Sequence, residues 1–171
     1  MAAILTSPIA VAAIVLAVAG LAKLRSPAGA RHALAATGWS VSRGAVRVIA
    51  SVEVALAMLV VLDPGRVSCA LLAAMYGVLA LVARALARHG AACGCFGGED
   101  ASTTGVHVAL SAALALLAAA GAAWPPHGVG WLLGGAPGVA AALVLGIAGA
   151  AYATVLVYTE LPSAWSAWRP R

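Results

Sequence analysis

The chain has 171 residues, of which 64% are hydrophobic and 9% charged, and its mean hydropathy is +1.04. A soluble domain is about a quarter charged and about half apolar, so this composition excludes a water-soluble globule and indicates a membrane protein. Only 5% of the residues are aromatic, and a chain rich in small apolar residues is typical of closely packed transmembrane helices. High hydrophobicity also excludes a disordered chain, and three cysteines are too few for a disulfide-rich secreted scaffold.

Five apolar stretches are long enough to cross a bilayer, which takes about 20 helical residues. They cover residues 4–22, about 46–62, about 67–87, 106–124 and about 139–157. The predicted fold class is therefore all-α, a polytopic transmembrane bundle without β-strands, with a core of four helices and a fifth helix beside it. We expect Gly138, Gly146 and Gly149 to line the contact of the fifth helix, because glycines at helical spacing let backbones approach closely.

The segments between the spans are short or polar. Residues 26–43 are predicted to form a loop with a short interfacial segment, and Asp63-Pro64-Gly65 a tight turn, because Pro and Gly together end a helix. Residues 158–171, which carry Trp165 and Trp168, are predicted to anchor the chain at the membrane interface. The first span is interpreted as an uncleaved helix, because a signal peptide would have a basic residue before its apolar run.

Basic residues predict the orientation of the bundle. They are concentrated on one side of the membrane: Lys23, Arg25, Arg31, Arg43, Arg84, Arg88, Arg169 and Arg171, against Arg66 in the opposite loops. Because cytoplasmic loops carry the excess of Lys and Arg, the N-terminus is predicted outside and the polar segment 90–105 on the cytoplasmic face. Topology and contact with anionic membrane lipid account for the net charge of +5, so no nucleic-acid partner is expected.

The segment most indicative of function is Cys93-Gly94-Cys95, in the polar, glycine-rich stretch 90–105. Cysteines often act as small apolar packing residues, but this stretch offers little core to pack into. Gly94 would allow a positive φ angle that brings the two Cα atoms into disulfide range, and so short a ring is strained and easily reduced. The pair is therefore a candidate for reversible thiol-disulfide exchange. Two sulfurs also suit a thiophilic ion such as Cu(I), whereas a structural zinc site needs four ligands.

Three sequence features in chain order resemble a known family. Residues 19–24, Ala-Gly-Leu-Ala-Lys-Leu, close the first span, Glu53 lies inside the second, and Cys93-Gly94-Cys95-Phe96-Gly97 precedes the fourth. In this order they resemble the MauE family of methylamine utilisation proteins, within the wider DoxX-like group of small membrane proteins. The resemblance covers residues 4–124 and leaves an additional helix and tail in 125–171, all within one expected membrane domain over 1–171.

The resemblance implies a four-helix membrane bundle that takes part in the maturation of methylamine dehydrogenase, whose small subunit is rich in disulfides. By extension it implies thiol-disulfide chemistry at the cysteine pair, with Gly94, Phe96 and Gly97 as supporting residues. The bundle is similar to membrane enzymes of the DsbB and vitamin K epoxide reductase types, although these use a Cys-x-x-Cys pair. One departure is the start of the fourth helix, where family members tend to carry an Arg-Asn pair and this chain has Gly105-Val106-His107-Val108.

Ionisable residues inside the spans are functional candidates, because an ionised side chain in the bilayer is costly. Glu53 is predicted to face the bundle interior, protonated or paired, and Tyr76 is a candidate hydrogen-bond partner. A site role and a purely structural hydrogen bond are equally compatible with Glu53. Lys23 is expected to extend its amine to the membrane interface, with pairing to a carboxylate or to a quinone oxygen as the alternative. Cys69 is predicted to be a packing residue, and His107 to be interfacial.

Two functions of different classes are compatible with these features. In the first, the protein is a membrane thiol-disulfide oxidoreductase or maturation factor. Cys93 and Cys95 then pass electrons between a thioredoxin-like protein and another acceptor, with a quinone as the candidate cofactor. In the second, the same sulfurs are the metal ligands of a Cu(I) carrier or chaperone. A third interpretation is a non-catalytic assembly subunit in which the cysteine pair is incidental. All three place the chain in the cell membrane as a multi-pass protein.

Overall fold

The computed structural model describes residues 2–94, 96 and 103–161 of the chain. These residues form seven helices: α1 (Ala2–Arg25), α2 (Pro27–Ala36), α3 (Arg43–Leu62), α4 (Arg66–Arg88), α5 (Gly105–Ala123), α6 (Val129–Leu133) and α7 (Pro137–Thr159). Helices α1, α3, α4, α5 and α7 are long and apolar enough to cross a membrane, and the described residues contain no β-strand. The predicted all-α bundle with five spans is confirmed.

Helix α2 lies in the connection that the sequence predicts as a loop with a short interfacial segment. It begins at Pro27, whose fixed φ angle and missing N–H suit the first position of a helix. Its buried residues are Gly29, Ala30 and Ala33, and it contacts α1, α3 and α4. Because these buried residues are small, α2 lies close against one end of the bundle.

The boundaries of α3 and α4 follow from local capping. The Ser42 hydroxyl accepts a hydrogen bond of 3.2 Å from the Ala45 amide and caps the start of α3. After α3, the predicted turn at Asp63-Pro64-Gly65 separates it from α4. The Ser68 hydroxyl donates to the Asp63 carbonyl at 2.7 Å and satisfies a backbone acceptor that the end of α3 leaves open.

The core of the bundle is formed by the pairs α1 with α3 and α4 with α5. Ile9, Leu16, Leu72 and Tyr76 are fully buried between these helices, where van der Waals packing holds transmembrane helices together. Alanines fill the spaces between them, including the fully buried Ala118. The small residues thus allow the large ones to interdigitate, as the composition indicates.

Gly20 allows a close contact between α1 and α3. A Cβ atom at this position would lie 2.9 Å from the Ala50 carbonyl oxygen and 2.8 Å from Val54 Cγ2. A side chain of any size would therefore push the two helices apart. The glycine sets the depth at which the end of α1 packs on the middle of α3.

Helix α7 packs against α1 and, less extensively, against α5. The prediction that Gly138, Gly146 and Gly149 line this contact is wrong, because a Cβ atom added at any of them would meet no atom within 4 Å. The contact is instead made by side chains, with Val15 of α1 packed in one cluster with Ala151 and Tyr158 of α7. Side-chain contacts of this kind do not require the close backbone approach that glycine provides.

The two ends of the bundle carry different residues. One end, called the cysteine end below, is formed by the last turns of α1, α4 and α7, the first turn of α5, and α2. The prediction that Tyr158 belongs to an interfacial tail is wrong, because α7 continues through it and buries it at this end. Trp165 and Trp168 of the predicted anchor lie outside the described residues. At the opposite end, the His127 amide donates to Thr6 Oγ1 at 3.1 Å, and the His127 ring stacks on Trp131.

Candidate functional site

The segment that carries Cys93 begins where α4 ends in a Schellman motif. The Ala91 amide donates to the Leu86 carbonyl at 3.1 Å, the Gly90 amide donates to the Ala87 carbonyl, and Gly90 has a φ of +62°. Beyond the motif, the Thr103 amide donates to the Ala91 carbonyl at 2.9 Å and ties the far end of the segment to its beginning. The segment therefore leaves α4 in a defined direction.

Gly94 holds the candidate cysteine segment against α2. Its φ is +60°, and a Cβ atom at this position would lie 2.5 Å from both the carbonyl carbon and the carbonyl oxygen of Gly29. Both observations exclude a side chain, because L-residues rarely adopt this φ and the neighbouring atoms are backbone. The predicted positive φ of Gly94 is confirmed, and Gly94 also brings Cys93 next to α2.

Lys23 and Glu53 form a buried ion pair between α1 and α3. The ammonium nitrogen lies 2.6 Å from Glu53 Oε2 and 2.8 Å from Oε1, and both side chains are almost fully buried. The prediction that Glu53 faces the interior within hydrogen-bonding reach of another polar side chain is confirmed. The prediction that Lys23 extends to the interface is wrong, because one turn earlier Gly20 brings α1 close enough to α3 for the carboxylate to capture the amine.

Tyr76 does not partner Glu53. Its hydroxyl donates a 2.7 Å hydrogen bond to the Ala12 carbonyl, which lies in α1. Tyr76 therefore ties α4 to α1 in the core. Its side chain also lines a small cavity with Lys23 and Cys93, so it remains at the border of the candidate site.

A second polar group at the cysteine end joins the start of α5 to the end of α7. The Thr104 amide donates to His107 Nδ1 at 3.2 Å, and Ser111 Oγ lies 3.0 Å from Tyr158 Oη. The His107 and Tyr158 rings meet edge to face with centroids 5.8 Å apart. His107 is buried in the first turn of α5, and it lies at the position where the sequence departs from the family pattern.

Two cavities meet at Cys93. The inner cavity, of about 30 Å³, lies among α1, α4, α5 and α7, and its polar lining residues are Lys23, Tyr76, Cys93, His107, Ser111 and Tyr158. The lateral cavity, of about 300 Å³, lies among α1, α2, α3 and α4, and Lys23, Glu53 and Cys93 line it together with mainly apolar side chains. Cys93 and Lys23 line both cavities. In the lateral cavity, Cys93 lies together with both members of the ion pair.

The remaining predicted site residues divide into two sets. Phe96 lies at the same end, with its ring centroid 5.5 Å from that of Tyr158, and lines the inner cavity. Cys95 and Gly97 lie outside the described residues. Within the described ranges there is no group of three or more His, Cys, Asp or Glu side chains placed to hold a metal ion.

Cys69 lies far from the other cysteines in the fold. It sits near the start of α4, whereas Cys93 follows the end of that helix, and it is fully buried in the main core cluster. Its sulfur would be 3.2 Å from a Cβ atom added at Gly121 of α5. Its predicted role as a packing residue is confirmed.

The sequence does not single out the contacts among His107, Ser111 and Tyr158. Their proximity depends on the packing of α5 against α7, which no local pattern reveals. The one available signal was the polar character of His107 and Ser111, spaced four residues apart on one face of an otherwise apolar helix. Such a pair in a membrane span indicates a buried polar contact.

Comparison with known proteins identifies the same family that the order of the sequence features suggests. The family model of the methylamine utilisation protein MauE matches residues 1–125, which contain α1 to α5 and the cysteine segment. No curated protein and no solved structure matches the chain. The match covers well over half of the chain, and α6 and α7 lie beyond it. This multi-pass membrane protein therefore belongs to the MauE family.

Proposed function

We propose that the protein is a membrane thiol-disulfide oxidoreductase or maturation factor in which Cys93 and Cys95 alternate between dithiol and disulfide. The observation that carries the proposal is the position of Cys93, which Gly94 holds at the meeting point of two cavities lined by Lys23. Cys69, packed in the core, has no such access. A partly accessible cysteine is typical of reactive thiols, whereas a thiol buried in an apolar core is inert.

The proposed reaction is exchange with a thioredoxin-like protein. The thiolate of one cysteine attacks the disulfide of the partner, one partner sulfur leaves as a thiolate, and a mixed disulfide forms. The second cysteine then attacks the mixed disulfide, which releases the partner as a dithiol and leaves a disulfide between Cys93 and Cys95. The reverse sequence transfers a disulfide to the partner.

The first prediction is that a single cysteine variant traps this mixed disulfide. Cys95→Ser leaves Cys93 without a resolving thiol, so a covalent complex with a thioredoxin-like protein is expected to accumulate and to disappear on reduction. The measurement is non-reducing electrophoresis followed by mass spectrometry of the trapped species. Cys69→Ala is the matched control, because it removes a core cysteine and should leave exchange by the wild-type pair intact.

Two results would contradict the proposal. Absence of exchange and trapping, together with tight stoichiometric Cu(I) binding by the wild type, would identify a metal carrier or chaperone. Absence of both exchange and Cu(I) binding in a folded, membrane-inserted protein would identify an assembly subunit. Size-exclusion chromatography in detergent shows whether each variant is folded.

A further inference from the structure

A surface groove at the cysteine end lies between the last turns of α4 and the first turns of α5. Its volume is about 460 Å³, within the range of about 300–1,000 Å³ for small-molecule sites. Arg84 and Arg88 line it from α4, and Gly105 lines it at the start of α5. The other lining residues are apolar: Ala87, Val108, Ala109 and Ala112. The groove therefore combines two positive charges with an apolar floor.

The two arginines are placed to bind one anionic group. They are exposed and four residues apart, so their side chains leave the same face of α4. Neither forms an ion pair with another described residue, and no acidic side chain of the described ranges lines the groove. A guanidinium group presents its N–H donors in a plane and matches two oxygens of a phosphate. The arginine pair therefore favours a group that contains phosphate.

The start of α5 adds to the positive potential of the groove. The first amides of a helix carry the positive end of the helix dipole, which favours anions. Gly105 is the first residue of α5 and is exposed, and a Cβ atom added to it would meet no atom within 4 Å. The space beside the helix start is therefore open to a ligand that the arginines hold.

The groove changes from charged to apolar toward the middle of the bundle. Arg88 and Gly105 lie at the ends of their helices, whereas Ala112 lies about two turns inside α5. A rise of about 1.5 Å per residue places Gly105 and Ala112 about 10 Å apart along the helix axis. A phospholipid has the same order, because its phosphate lies at the membrane interface and its acyl chains extend into the bilayer. A free phosphate ion would occupy only the charged part.

The orientation of the bundle does not by itself explain this arrangement. Arg43 and Arg47, at the start of α3, are also exposed and four residues apart at the same end of the bundle. They contribute equally to the excess of basic residues that orients a membrane protein. They do not line the groove, so only the pair in α4 is combined with a helix start and an apolar floor.

We propose that the groove between α4 and α5 binds a phospholipid with an anionic head group. Arg84 and Arg88 hold its phosphate, and an acyl chain lies along Val108 and Ala112. Basic cavities between transmembrane helices are known binding sites of anionic lipid head groups. Since α4 ends just before the segment that carries Cys93 and α5 begins just after it, the bound lipid connects the helices on either side of that segment. The inference is independent of the proposed thiol-disulfide function.

The test is binding of dioleoylphosphatidylglycerol to the purified full chain in detergent, measured by native mass spectrometry. Dioleoylphosphatidylcholine, which has no net charge, is the comparison lipid and should bind more weakly. Arg84→Gln with Arg88→Gln should bind phosphatidylglycerol at least about tenfold more weakly than the wild type, because it removes both cationic contacts. Arg43→Gln with Arg47→Gln is the matched control, because it removes the same charge from the same end. It should bind as the wild type does.

A second pair of variants tests the apolar part of the groove. Ala109→Trp fills the groove, whereas Ala113→Trp is the control one turn along α5, because Ala113 is exposed and does not line the groove. Only Ala109→Trp should weaken binding of phosphatidylglycerol. The proposal is overturned if the two lipids bind equally, if the α3 arginine variant loses as much binding as the α4 variant, or if Ala109→Trp binds as well as Ala113→Trp. Size-exclusion chromatography in detergent shows whether each variant is folded before its binding is measured.

Discussion

At the scale of single residues, the ion pair of Lys23 and Glu53 shows how a buried charge is kept in a membrane bundle. Removing charges from water costs several kcal/mol per ion, and the cost is recovered only when the partners are in close contact. The ammonium group here contacts both carboxylate oxygens. The energetic importance of each residue therefore depends on the presence of the other.

The second prediction concerns this dependence. Glu53→Gln should destabilise the protein by about 3–5 kcal/mol, because it leaves a buried ammonium group without its counter-charge. The double variant Lys23→Met with Glu53→Met should be much less destabilised, because neither charge remains to be desolvated. Unfolding by denaturant in detergent micelles measures both. Equal destabilisation of the single and double variants would show that attraction between the two charges does not determine the effect.

At the scale of helices, the α1–α3 contact places the ion pair. Gly20 is one turn before Lys23, and Ala50 is one turn before Glu53, so this close approach of the two helices lies beside the two charges. The glycine and the lysine at the end of α1 therefore act together. The glycine sets the distance between the helices, and at this distance the lysine reaches Glu53.

The third prediction tests this helix contact. Gly20→Ala should destabilise the protein, because its Cβ would lie 2.9 Å from the Ala50 carbonyl oxygen and force the helices apart. Gly77→Ala in α4 is the control, because no atom lies within 4 Å of its added Cβ. That change should be neutral or stabilising by about 0.4–1 kcal/mol, since alanine loses less backbone entropy on folding. Equal stability of the two variants would refute the importance of the close approach.

At the scale of the whole molecule, the sequence predicts the spans and the buried acid but not the pairs of residues that meet. Apolar length is a local property, and a carboxylate inside a span must face protein, so α3 and the orientation of Glu53 are predictable. The partner of Glu53 depends on how α1 packs on α3, and the contact of Ser111 with Tyr158 depends on how α5 packs near α7. Such contacts join distant parts of the chain and leave no periodic pattern in either part.

The fourth prediction concerns which side of the membrane carries the cysteine end. The structure places the ends of α1 and α4, with their basic residues, together with Cys93 at one end of the bundle. Because basic residues favour the cytoplasmic side, this end should be cytoplasmic. In a chain without its natural cysteines, Trp39→Cys should react with a membrane-impermeant maleimide only after the cells are permeabilised. Trp124→Cys, at the end of α5, should react in intact cells.

The result decides which class of partner protein the proposed exchange at Cys93 and Cys95 could reach. A cytoplasmic cysteine end would expose Cys93 to a compartment that keeps thiols reduced, so a partner protein there would carry a dithiol. Exported proteins could then exchange with the cysteine pair only through other redox proteins. Labelling of Trp39→Cys in intact cells, with Trp124→Cys protected, would reverse the assignment. The cysteine pair could then exchange directly with proteins that acquire disulfides outside the cytoplasm, and the distribution of basic residues would not set the orientation of this bundle.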